Sequence, residues 1–377
     1  MFASACNAQK NIPVANPVKT GAEQLSVYLP LLQNKQVALI ANHTSMVNNT
    51  HLLDTLLANG ISVAKVFAPE HGFRGDADAG AHIKDGMDSK TGLPLISLYG
   101  KNKKPSSEQL GGVEVIVFDI QDVGARFYTY LSTLHYVMEA AAEQHIPVVV
   151  LDRPNPNIGI VDGPVLDTNF SSFVGLHPVP IVYGMTIGEY AQMINGENWI
   201  KPTNNITCDL TIIKLANYTR KSNYVIPVAP SPNLKSDKSI HWYPTLCLFE
   251  GTQISVGRGT TNPFTMFGCP SCDLHDTIFI PEPNVGASNP KYKGEQCAGV
   301  SMPDGYSDSL VVEYWVQAYA SYTGEKPFFN AFFKKLAGTD QLEKQISSGL
   351  SAQAIRNSWK KELQQFKKMR KSYLIYD

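Results

Sequence analysis

The chain has 377 residues, 43% hydrophobic and 17% charged, with a formal net charge of -1 at pH 7. That length exceeds one ordinary core and favours two lobes that share a cleft. The near-zero charge gives no electrostatic footprint for nucleic acid or an anionic membrane, and no apolar run approaches the roughly 18 residues needed to span a bilayer.

The chain opens with small residues, Met1 to Ala5, that end at Cys6 and lead into the polar, proline-containing stretch Asn7 to Pro17. Ala3-Ser4-Ala5-Cys6 loosely resembles the lipobox at which bacterial lipoproteins are cut and acylated. Residues 1–17 are therefore read as an export leader or linker, with a secreted or periplasmic destination and a lipidated Cys6 as a candidate membrane anchor. The plainer alternative is a flexible leader with a chance cysteine.

From residue 36, apolar β-branched runs alternate with helix-like segments: Gln36 to Ala41, Leu52 to Asn59, Val63 to Phe67, Val113 to Phe118, Tyr128 to Gln144 and Pro147 to Leu151. Continuously apolar runs such as Val115 to Phe118 and Val148 to Leu151 suit strands covered on both faces. This βαβ rhythm predicts a Rossmann-like, doubly wound, mostly parallel sheet over residues 18–205. Pro180 to Tyr183 is a further candidate strand, and Thr186 with Glu189 forms a capping box that opens a helix through Asn195. After Trp199 the runs shorten and Asn and Pro become frequent, predicting a C-terminal α+β auxiliary lobe over 206–377 that ends in a helical tail from Leu342 to Lys371. Leu246 to Val256 is left open as a further contributor of strands to the first sheet. Only Cys269-Pro270-Ser271-Cys272 has the two-residue gap of a metal or redox pair; without a matching second pair it reads as a local disulfide or two buried thiols, and no metal site is assigned.

Ligands of open parallel sheets bind beyond the carboxyl ends of the strands. There the sequence places Asn42-His43-Thr44-Ser45, Glu70-His71-Gly72-Phe73-Arg74-Gly75, Asp119 with Gln121, Asp122 and Arg126, and Asp152-Arg153-Pro154-Asn155-Pro156. The opposite ends carry turn-like residues. No G-x-G-x-x-G fingerprint, phosphate loop or G-x-S-x-G elbow follows a strand, so no nucleotide cofactor is expected, and a serine hydrolase is disfavoured. A carboxylate-rich cleft with Tyr128, Tyr130, Tyr183 and Asn155 suits sugar chemistry, which needs a proton donor, a second carboxylate or positioned water, and groups that orient hydroxyls. Glu70 is the candidate acid, with an ion pair to Arg74 as its structural alternative. His71 is a candidate relay or a packed loop residue. Asp119 or Asp122 is the candidate second carboxylate, held by Arg126, or else a helix cap. Asp152 and Arg153 are read as substrate-facing or as a buried pair that shapes the pocket.

The words Pro69-Glu70-His71-Gly72-Phe73-Arg74-Gly75, Asp119 to Tyr130, Leu151 to Pro156, Tyr183 to Glu189, Pro230 to Asn233, Phe249-Glu250-Gly251-Thr252 and Ser255 to Thr260 resemble the exo-β-N-acetylmuramidase family. The likeness runs from about residue 20 to the C-terminus. It implies a glycosidase that removes N-acetylmuramic acid from the non-reducing end of peptidoglycan fragments, with Glu70 as its acid. Asn42, Arg74, Glu250 and Arg258 join the candidate substrate contacts. Arg126, Arg153 and Arg258 are the guanidinium candidates for the lactyl carboxylate of muramic acid. Two other functions compete: a non-catalytic periplasmic muropeptide-binding protein, and an amidase or esterase drawing on Ser231, Ser255 or His241.

Overall fold

The computed structural model describes residues 16–70, 72–74, 85–200 and 206–377. The first lobe carries β1 (Val37–Ala41), β2 (Met46–Val47), β3 (Thr50–His51), β4 (Val63–Ala68), β5 (Gly86–Met87), β6 (Pro94–Ser97), β7 (Val115–Asp119), β8 (Val148–Leu151) and β9 (Leu210–Ile213). Its helices are α1 (Leu25–Leu32), α2 (Leu52–Ala58), α3 (Tyr130–Glu143) and α4 (Ile187–Gly196). The main sheet runs β5-β6-β4-β1-β7-β8-β9; every neighbouring pair is parallel except β5 with β6 at the edge.

Strand side chains alternate between two cores. Ala38, Ile40, Ile116, Phe118, Val148 and Val150 face α3 and α4. Val37, Leu39, Val115, Val117, Val149 and Leu151 face α1 and α2, where Tyr28, Leu32, Leu52 and Leu56 meet them. Cover on both faces explains why these strands are apolar throughout. Helix α4 opens on the expected capping box, with Thr186 Oγ1 accepting from Glu189 N and Glu189 Oε2 from Thr186 N.

Three expectations need correction. Strand β9 pairs with β8 from Val148↔Leu210 to Leu151↔Ile213, so the first lobe extends past 205. Its exposed Thr211 and partly exposed Leu210 and Ile212 lack the apolar signature of an interior strand, because β9 is an edge. Pro180 to Tyr183 makes only isolated bridges, from Val182 to Ala125 and Asp162. Leu246 to Val256 adds no strand to the main sheet: α5 (Asp237–Leu246) runs into a 3-10 turn over Cys247–Gly251. The leader and Cys6 lie outside the described residues.

The second lobe holds the antiparallel sheet β10 (Met266–Cys269), β11 (Thr277–Phe279) and β12 (Cys297–Ser301), with β12 in the middle. Five helices follow: α6 (Val312–Ser321), α7 (Ala331–Ala337), α8 (Gln341–Ser347), α9 (Ala352–Ser358) and α10 (Lys360–Arg370). Cys269 and Cys272 form a disulfide. Phe249, Phe267, Trp315 and Phe333 of this lobe belong to the same hydrophobic core as Ile116 and Phe118, so the lobes share one interior.

Arg126 fastens that interior. It is 1% exposed and donates Nη1 to the carbonyls of Pro164 (3.0 Å) and Val179 (2.7 Å), and Nη2 to those of Leu336 (2.9 Å) and Ala337 (2.7 Å). The last two are orphan carbonyls at the end of α7, where a cation is favoured. Gly338 closes the helix at φ +72°, and a Cβ there would press on the guanidinium. Both Nη groups of Arg126 are therefore engaged by backbone carbonyls, and it pairs with neither Asp119 nor Asp122, contrary to expectation.

A C-terminal strap crosses back to the first lobe. Tyr376 donates its hydroxyl to Asp152 Oδ2 (2.6 Å) and accepts from Leu215 N, while Ile375 N donates to Glu189 Oε1.

Two outcomes follow from this packing. Arg126→Met should lower unfolding stability by about 3 kcal/mol or more in urea titration, because the buried carbonyls of Pro164, Leu336 and Ala337 lose a charged donor and that of Val179 keeps only Leu166 N; an unchanged midpoint would remove the fastening role. The buried pair His135–His177 (Nδ1···Nε2 3.0 Å) lies beneath Trp199, with His177 also bonded to Tyr190 OH and Lys104 and Glu139 beside His135. Burial holds His135 down to about 4 and His177 well below its usual value. The unfolded chain takes up protons below about 6.5 and the folded chain does not, so stability present above that pH should fall between pH 6.5 and 4, with His135 alone contributing up to roughly 3 kcal/mol of the loss. His135→Phe should flatten that part of the pH–stability curve.

Candidate active site

The polar ends of β1, β4, β7 and β8 converge as expected, but most of their side chains hold one another. Asn42 is fully buried: Oδ1 accepts from Thr44 N (2.9 Å) and Oγ1 (2.6 Å), and Nδ2 donates to Tyr130 OH (2.9 Å). Ser45 Oγ donates to Asp119 O, and Gln121 N to Thr44 Oγ1, so the loops after β1 and β7 are laced together at the point where strand order reverses. Asp119, also fully buried, takes Arg153 in a bidentate pair (Nε–Oδ1 2.6 Å, Nη2–Oδ2 2.8 Å). Arg153 thus pairs with Asp119 rather than with its neighbour.

Asp152 is enclosed among Thr186 Oγ1 (2.7 Å), Gly188 N (2.8 Å) and Tyr376 OH, and burial pushes its carboxyl up to about 6. It anchors the start of α4. Asn155 Nδ2 donates to Met185 O (2.8 Å), and its Oδ1 accepts from Asn157 N (2.7 Å). The same amide packs so closely on Gly124 that a Cβ there would overlap it, and Gly124 sits at φ +78°. Asp152 and Asn155, expected as substrate contacts, are here engaged with backbone groups and hydroxyls of the protein itself.

Asp122 is 3% exposed, with Oδ2 accepting from Tyr183 OH and from Gly124 N (2.7 Å). Burial pushes the carboxyl up to about 6 and the Tyr183 hydroxyl well above its usual value. With Asp119 paired and Asp122 sealed behind fully buried Tyr183, neither lines the cavity as a second carboxylate. Arg74 does not stand in for a sugar contact either: it makes a bidentate pair with Asp88 (2.8 Å for both bonds) that holds that carboxyl down to about 2. His71 lies outside the described residues.

Glu70 stands apart from this network. It follows β4, is partly exposed, and its Oε2 accepts from Thr129 Oγ1 (3.1 Å) at the start of α3. The Tyr99 hydroxyl also bonds to it; burial first, and then this carboxylate, push that tyrosine up to about 12. Tyr130 OH reaches the Glu70 carbonyl (3.4 Å). Glu70 lines a cavity of about 150 Å³ together with Tyr128, Tyr130, Tyr243, Glu250 and Arg258. Tyr128 is fixed by its hydroxyl on Pro230 O (2.7 Å) and sets its ring edge-on to Tyr130 and Tyr243. Glu250 and Arg258, paired at 2.5 Å through Nε, enter from the second lobe and also line an adjoining basin of about 460 Å³. The basin wall carries Lys291, whose Nζ donates to Thr252 O (2.7 Å) and Ile254 O (3.0 Å), with burial pushing its pKa down to about 8.

The structure therefore brings together Glu70, Tyr128, Tyr130, Glu250 and Arg258 of the expected set. Thr129, Tyr99, Tyr243 and Lys291 were missed. Thr129 sits inside the motif Phe127-Tyr128-Thr129-Tyr130 and was legible as its polar member; Lys291, in a loop distant from every parallel strand, carried no signal. His241 bonds Asn157 Oδ1 (2.9 Å), packs with its ring tilted against Tyr306 and lines neither cavity, whereas Ser231 and Ser255 do, so it forms no nucleophile–base pair with either. Among the described residues no cluster of His, Cys, Asp and Glu could hold a metal ion.

Comparison with known proteins accords with this geometry. The N-terminal family model of the exo-β-N-acetylmuramidase NamZ matches residues 37–238 and the C-terminal model matches 241–376. The peptidoglycan β-N-acetylmuramidase NamZ of Bacillus subtilis is 41% identical over 402 residues, spanning 99% of this chain and 95% of that protein. The crystal structure of a DUF1343 family protein from Bacteroides fragilis superposes with a TM-score of 0.88 at 43% identity, covering 96% of this chain and 99% of that one. A second DUF1343 family structure from the same organism gives 0.82 at 30% identity over the same shares. Two domain models in tandem over nearly the whole chain, and a full-length relative at this identity, leave one assignment: the chain belongs to the exo-β-N-acetylmuramidase NamZ family of glycosidases.

Proposed function

We propose that the chain releases N-acetylmuramic acid from the non-reducing end of peptidoglycan-derived saccharides, with Glu70 as the proton donor to the leaving oxygen. The observation that carries this reading is the position of Glu70: a half-buried carboxylate at the end of a parallel strand, held by Thr129 and Tyr99, in an aromatic cavity that both lobes line. A glycosidic oxygen needs such a positioned acid, and the tyrosine faces and edges suit a pyranose ring. Glu250 faces the same cavity from the other lobe, where it can stabilise charge developing at the anomeric carbon or orient the attacking group.

A capture protein that closes about a hinge is disfavoured by the packing. The core that includes Ile116, Phe118, Phe249 and Phe267 runs without interruption between the lobes, and Arg126 ties both. Large closures are expected where the interface between lobes is small and polar.

Export to the periplasm with lipidation at Cys6 is part of the same proposal and rests on the Ala3-Ser4-Ala5-Cys6 pattern and on the location that peptidoglycan demands.

Mass spectrometry of a muramic-acid-terminated disaccharide incubated with the wild type should show free N-acetylmuramic acid, and Glu70→Gln should lower kcat by roughly 10²- to 10⁴-fold with binding retained. Retained turnover in the variant would displace Glu70 from its role; binding without turnover in the wild type would favour the capture protein. Placed behind the basic and apolar regions of a lipoprotein signal and expressed in a Gram-negative host, the chain from Ala3 onward should incorporate radiolabelled palmitate and its Cys6→Ser variant should not; equal labelling of the two would dismiss the anchor.

A further inference from the structure

Muramic acid differs from glucosamine by an ether-linked lactyl group that carries a carboxylate, and three guanidiniums lie close enough to the crevice to be weighed as its partner. Arg126 spends both Nη groups on four backbone carbonyls. Arg153 is committed to Asp119 and to Met46 O and lines neither cavity. Arg258 differs on both counts. It lines both cavities, at their junction, with a quarter of its side chain open to solvent.

Its orientation is fixed from one edge only. Nε donates to Glu250 Oε1, and the guanidinium carbon lies 5.0 Å from the centroid of Phe264, whose ring holds the plane. Neither Nη group has a hydrogen-bond partner among the described residues. A guanidinium can serve two carboxylates at once, one on the Nε edge and one end-on across the paired Nη groups. Glu250 occupies the first position and the second is open. Lys291 adds a second cation on the basin wall, so the cluster of Glu250, Arg258 and Lys291 carries a net positive charge that offsets the repulsion between Glu250 and an incoming anion.

We infer that Arg258 is the specificity residue of this site, gripping the substrate's carboxylate end-on through its two Nη groups while Glu250 sets its tilt. The inference rests on the muramic-acid reading above and assigns the group that distinguishes that sugar from its neutral relatives. Nothing covalent is asked of Arg258; it positions the ring relative to Glu70.

The test crosses the residue with the substrate. Wild type, Arg258→Gln and Arg258→Lys are assayed on the muramic-acid-terminated disaccharide and on its lactyl methyl ester. Wild type should lose about 100-fold in kcat/KM on esterification, as loss of a charged, bidentate hydrogen-bonded pair implies. Arg258→Gln should be slow on both and discriminate by no more than about threefold, with Arg258→Lys between them. Equal losses on acid and ester in Arg258→Gln, leaving the discrimination intact, would overturn the inference. Calorimetric binding of free N-acetylmuramic acid against N-acetylglucosamine provides a readout independent of turnover: the preference for the acid should vanish in Arg258→Gln. If wild type hydrolyses neither substrate, the proposed activity fails, while this binding comparison still decides the role of Arg258.

Discussion

One cation with no carboxylate partner holds the two lobes in register. Arg126 lies where the strand β7 loop, the long segment after β8 and the end of α7 meet, and it exchanges a counter-ion for four carbonyl dipoles drawn from both lobes. Burial pushes its pKa down to about 9, so it remains largely charged near neutrality. Such a group tolerates little displacement, because each carbonyl must stay within hydrogen-bond distance of a planar fork. The cavity around Glu70 inherits that rigidity, since its walls are Phe127 to Tyr130, adjacent to Arg126, and Phe332 and Leu336 of α7.

The first lobe was largely legible because its strands are covered on both faces, and a run such as Val148 to Leu151 has few other solutions. Strand β9 was missed for the converse reason: at the sheet edge it mixes exposed and buried positions within four residues. The loops at the carboxyl ends were correctly located, yet Asn42, Asp119, Asp152, Arg153 and Asn155 turned out to satisfy one another and the backbone. A crevice where strand order reverses is also where several irregular segments are buried together, and their amides and carbonyls need polar partners. On paper, residues that bind a ligand and residues that bind the loop itself have the same composition.

The second lobe's share of the site was readable only through motif words. Glu250 and Arg258 sit in Phe249-Glu250-Gly251-Thr252 and Ser255 to Thr260, which carried the family resemblance, whereas periodicity gave no hint that a 3-10 turn would bring Glu250, and the segment after it Arg258, to the cavity that Glu70 lines. Lys291 shows the limit most plainly. A lysine in a polar loop is ordinarily solvated, and only the fold reveals that two carbonyls and the basin wall enclose it.

The C-terminal strap bears on how the chain is assembled in time. Asp152 closes the end of β8 and the start of α4, but one of its hydroxyl partners is Tyr376, 224 positions away, and the adjoining Ile375 amide engages Glu189 in the same helix. A ribosome releases the Rossmann-like half long before that tyrosine exists, so a nascent first lobe carries a buried carboxylate that is not yet fully satisfied. Until the C-terminus emerges, Asp152 keeps its bonds to Thr186 and Gly188 but lacks the one that ties the end of β8 and the start of α4 to the strap. A contact that arrives this late makes the final fixing of the first lobe one of the last events of the chain's maturation.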